Sequence, residues 1–234
     1  MLVGALVAAV VLWFLPVARF LVLPFVYLNT HLHELAHVGT AILTGGRALY
    51  MIVQATGGGY AVTQGGNPFL IASAGYTGSA IVGGLIIWLS RTEKGARYAL
   101  WGLAGLLMFG SVLYLRGDLI GILSGVFWIG FIGLLAAKLS RDYVIFAAQF
   151  LGAIQCLAAI SAVRDLIWIN ANTFETRNDA VAVAQMAPFG PMFWAVLWLV
   201  FAVVVVLLSL RSAWRSEDPE RGVDTWRGGY STRR

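Results

Sequence analysis

The chain has 234 residues, of which 59% are hydrophobic and only 12% charged. Soluble domains carry about 45–50% apolar and about 25% charged residues, so a soluble enzyme, a disordered protein and a nucleic-acid-binding domain are excluded as its main body. The net charge of +5 sits in short loops and toward the C-terminal end, where positive residues set membrane orientation. The sequence reads as an integral, multi-pass membrane protein.

Apolar stretches of about 20 residues, the length that crosses a bilayer, fall at 2–23, 25–43, 68–89, 96–115, 119–139, 143–163 and 191–210. The first is interrupted by Pro16 and Arg19 and the second follows Pro24, so these two are either separate crossings or one re-entrant arrangement. The expectation is an all-α polytopic fold with six or seven transmembrane helices. The N-terminal run has no basic n-region, which favours a retained anchor over a cleaved signal peptide. Cys156, the single cysteine, lies within an apolar run and reads as a small buried hydrophobe.

Two stretches do not read as spans. Residues 45–67 hold seven glycines, with Gly57, Gly58 and Gly59 between two β-rich runs; this predicts a hairpin over about 46–66. It is not a phosphate cradle, because no Lys-Ser/Thr follows and no helix opens there. Residues 164–188 carry Arg164, Asp165, Glu175, Arg177 and Asp179 among polar neighbours. The membrane domain therefore covers 1–211, followed by a basic, polar tail over 212–234 that is expected to be disordered. If the five later spans alternate, the 91–97 loop, the 138–142 loop and the tail share one side, which the positive-inside rule makes cytoplasmic. The hairpin, the 116–118 turn and the 164–188 segment share the other.

One constellation carries chemistry. The only three histidines, His31, His33 and His37, lie within seven residues, in Asn29-Thr30-His31-Leu32-His33-Glu34-Leu35-Ala36-His37. His33 and His37 are one helical turn apart, so both imidazoles can reach one metal ion. Glu34 is placed instead to take the proton of an attacking water. Chance would produce H-E-x-x-H about 0.001 times in a chain of this composition. Glu34 is also the only acidic residue in any of the apolar stretches, and an ionisable group at membrane depth implies function by default. His31 falls off the ligand face and reads as a neighbour of the site or an interfacial residue.

A membrane-embedded H-E-x-x-H, then a glycine-rich hairpin, then a span containing Ala74-Gly75-Tyr76-Thr77-Gly78, resembles the site-2-type intramembrane zinc proteases, closest to their compact bacterial branch without a PDZ domain. The resemblance implies one Zn2+ held by two histidines and a distant aspartate, here His33, His37 and a third ligand, with Glu34 as catalytic base. Asp179, in Asn178-Asp179-Ala180, is the first candidate for the third position. Asp165 is the second, and Asp118 reads as a helix N-cap. Implied partners are a membrane-protein substrate and the lipid bilayer of a bacterial cell, with self-association left open. The family places its hairpin toward the cytoplasm, opposite to the sidedness that charge counting gives. A metal-binding scaffold without catalysis and a metal-ion transporter are the alternatives; the transporter would need further intramembrane carboxylates, which the sequence lacks.

Overall fold

The structure, a computed structural model, describes residues 1–15, 19–173 and 177–216. In chain order the elements are α1 (Leu2–Phe14), α2 (Arg19–Leu43), β1 (Arg47–Val53), β2 (Gly59–Gln64), α3 (Pro68–Leu89), α4 (Glu93–Leu113), α5 (Leu119–Lys138), α6 (Arg141–Asn172), α7 (Asp179–Ala184) and α8 (Pro191–Ser216). Among the described residues five helices, α3, α4, α5, α6 and α8, are long and apolar enough to cross a membrane. With the small two-stranded sheet, the chain is an all-α polytopic membrane protein carrying one hairpin.

The boundaries depart from the sequence reading at three places. The 2–23 stretch is not one span: α1 ends at Phe14, and its 13 residues reach only about 20 Å. The second helix begins earlier than expected and runs through Pro24, whose carbonyl is taken up by Trp128 Nε1 of α5 at 2.9 Å. At the other end, α6 continues past Val163 to Asn172, because nothing between them breaks a helix and Arg164 pairs with its neighbour Asp165 in the open. Likewise α8 extends to Ser216, beyond the expected start of the tail. Glu175 and residues 217–234 lie outside the described residues.

Helix starts follow local capping chemistry. Asn67 Oδ1 accepts from Leu70 N ahead of Pro68, Thr92 Oγ1 from Gly95 N, and Asp118 Oδ1 from Ile120 N. Arg97 of α4 pairs with Glu93 and donates to the carbonyls of Ala136 and Leu139, satisfying the open C-terminal turn of α5. The core is built around α6, whose buried face runs from Val144 to Leu166. It meets α3 at close range, since a Cβ on Gly83 would stand 2.8 Å from Cys156 Sγ and one on Gly152 would stand 2.9 Å from Ile87 Cγ1. Small residues permit such approach where lipid supplies no hydrophobic drive between helices.

The hairpin pairs antiparallel from Arg47↔Gln64 to Val53↔Gly59, with an irregularity between Ala48 and Tyr50. Its β1 edge is occupied by the α4–α5 turn: Met51 N donates to Tyr114 O at 2.8 Å, and Arg116 N donates to Met51 O at 2.9 Å. Among the described residues, no strand pairs with the outer edge of β2. The turn is tied down by Tyr27 Oη to Ala55 O, Thr30 Oγ1 to Gly57 O, and Ala55 N to Asp118 Oδ2. These bonds lay the hairpin along α2, beside the histidines.

Candidate metal centre

Helical periodicity puts His33 and His37 on the same face of α2, and α3 lies against that face. Gly75 of α3 makes this approach possible, since a Cβ there would stand 2.6 Å from His37 Nε2 and closer still to His33 Nε2. The His37 ring is fixed by its Nδ1, which donates to Ile71 O at 2.6 Å. That bond selects the tautomer whose Nε2 lone pair is free for a cation.

The third group arrives from the far end of the chain. Asn178 caps α7 by accepting from Val181 N at 3.0 Å. The capping role is therefore filled by Asn178, and Asp179, the first residue of the helix, is released for other contacts. Its Oδ2 lies 3.1 Å from His33 Nε2 and 3.4 Å from His37 Nε2. Burial alone would raise the Asp179 carboxyl, but the two imidazoles facing it outweigh that and hold it below the usual carboxylate range.

One ligand atom from each of His33, His37 and Asp179 falls within 4.8 Å of the others. Two imidazole nitrogens and a carboxylate oxygen form a donor set suited to zinc, and the Ile71 bond supplies the outer support that metal-binding histidines need. Glu34, one residue beyond His33, is 3% exposed, and its Oε2 has no hydrogen-bond partner. The cluster opens on a cavity of about 720 Å³, whose walls include Gly59, Tyr60, Ala61 and Thr63 of the hairpin, Tyr76 of α3 and Arg177.

Other candidates go elsewhere. Asp165 is 62% exposed on its side chain and bonded to Arg164, outside the cluster. Asp118 caps α5, as its reading as an N-cap implied, and also accepts from Ala55 N of the hairpin turn. His31 is outside the ligand group, as expected, and is fully buried, with Nε2 3.0 Å from Ser124 Oγ of α5. Sequence reasoning missed Ile71, Gly59 and Tyr76. A backbone carbonyl such as that of Ile71 leaves no mark in a sequence, whereas the Gly75-Tyr76 pair was visible without its target.

The family model described as Peptidase M50B-like matches residues 2–209. The chain belongs to that family. It is the site-2-protease family of membrane metallopeptidases, so the carboxylate and two imidazoles described above stand in a scaffold associated with zinc-dependent proteolysis. No curated protein and no solved structure matches the chain.

Proposed function

We propose that the protein is a zinc-dependent intramembrane endopeptidase that hydrolyses peptide bonds of membrane-spanning or membrane-anchored proteins, with His33, His37 and Asp179 as metal ligands and Glu34 as general base. The observation that carries this reading is the convergence of Asp179 on the two histidines across 146 residues of sequence, beside a buried glutamate whose Oε2 lacks a partner. When bound, a zinc ion in a three-ligand site lowers the pKa of water to about 7 and polarises a carbonyl.

The chain's own residues account for the rest. Glu34 takes the proton of the attacking water and returns it to the leaving amine. Burial keeps this carboxylate away from bulk solvent, so its proton goes to the reacting groups. A transmembrane substrate hides its scissile bond in helical hydrogen bonds and must be unwound first. The outer edge of β2 supports this step, because an extended chain can pair with a free strand edge by backbone hydrogen bonds alone. Gly59, Tyr60, Ala61 and Thr63 line the cavity from that strand.

The test is Glu34→Gln, purified in detergent and reconstituted beside the wild type with a panel of single-span substrates. The expected result is a variant that keeps its zinc and loses at least about 100-fold in cleavage, the scale of a general base. A variant that cleaves at the wild-type rate rejects the reading.

A further inference from the structure

The two imidazoles are held by different means. His37 has its Nδ1 bond to Ile71 O. His33 has no such bond: among the described residues its only hydrogen-bonding contact runs through Nε2, on the side facing Asp179. Its ring meets two others edge-on: that of His37 at 4.7 Å and 79°, and that of Tyr76 of α3 at 4.5 Å between centroids and 82° between planes. Tyr76 in turn stacks on Trp198 of α8 at 5.4 Å and 17°. Trp198 is 4% exposed and packs in one cluster with Ala180 and Val183 of α7, the helix that presents Asp179.

Resting on the zinc-site reading above, we propose that Tyr76 is a positioning residue for His33, seated by Trp198, so that an aromatic relay from α8 does for His33 what a backbone carbonyl does for His37. The physical argument is rotational. An imidazole with no bond at Nδ1 can turn about its Cβ–Cγ axis, and a turn moves Nε2 away from the ion. An edge-to-face ring contact of this kind fixes relative plane angles. The stack on Trp198 restrains the Tyr76 ring in turn. The relay depends on the ring and not on the hydroxyl. Its consequence is that packing of α8 sets metal affinity without touching the metal.

The experiment measures zinc affinity of the full-length protein in detergent by chelator competition, together with the visible spectrum of the Co2+-loaded form, for wild type, Tyr76→Phe, Tyr76→Leu and Trp198→Leu. The expected result is that Tyr76→Phe matches the wild type in both readouts. Tyr76→Leu and Trp198→Leu each bind zinc at least about tenfold more weakly, the scale seen when outer support of a metal ligand is removed, and shift the Co2+ bands. A general loss of packing would lower the melting temperature without moving those bands. Should Tyr76→Leu fail to fold, Tyr76→Met takes its place, because Trp198 also packs against α7, the helix that presents Asp179. Wild-type affinity and spectrum in the leucine variants overturn the relay and leave the protease reading standing. A Tyr76→Phe variant as weak as Tyr76→Leu also overturns it, by assigning the effect to the hydroxyl. Absence of zinc uptake by the wild type overturns both.

Discussion

Gly75 of α3 sits directly against the Nε2 atoms of His33 and His37: a Cβ at this position would be 2.6 Å from the second and nearer to the first. The nitrogens that face Asp179 are thus backed by bare backbone, and α3 acts as the floor of the site.

Gly75→Ala is therefore a sharper test of the site than substitution of a ligand, since it removes no donor. The added methyl has to displace one or both imidazoles. Overpacking of this sort costs about 1–3 kcal/mol, and here the cost falls on the metal-facing atoms. Zinc affinity, measured by chelator competition, should fall at least about tenfold while the helical circular dichroism is kept. Unchanged affinity would mean that Nε2 does not face the ion.

Gly59 plays a matching part on the hairpin side. Its Cβ would meet Ile52 O at 2.7 Å, Thr30 Cγ2 at 2.8 Å and Glu34 Oε1 at 2.9 Å. Gly59→Ala has to push the first residue of β2 away from Glu34 or turn the carboxylate. The expected outcome separates two readouts: zinc content stays at the wild-type level, because no ligand is touched, and cleavage of a single-span substrate falls by about tenfold or more. Loss of zinc together with cleavage would place the hairpin among the supports of the metal instead.

Much of this architecture was legible in the sequence, and the limits have physical causes. The pattern His33-Glu34-x-x-His37 fixes its own geometry, because a helical turn brings the imidazoles together whatever surrounds them. The hairpin was legible because β-rich runs flank a glycine turn. The extent of α6 was not: Arg164 and Asp165 look like a loop, yet a helix end leaving the apolar core tolerates an exposed ion pair. The position of Asp179 beside the two histidines is a tertiary fact. Nothing local distinguishes it from Asp165 except the neighbouring Asn178, which takes over the cap and frees its carboxylate. The stack of Tyr76 on Trp198 joins residues 122 positions apart and has no sequence signature at all.

The central claim is that a carboxylate from the short helix α7 completes a metal site begun on α2, and metal analysis of the purified wild type beside Asp179→Ala and Asp165→Ala tests it most directly. The account predicts one zinc per chain in the wild type and in Asp165→Ala, and little or none in Asp179→Ala. Full zinc occupancy in Asp179→Ala, or its loss in Asp165→Ala, would contradict it.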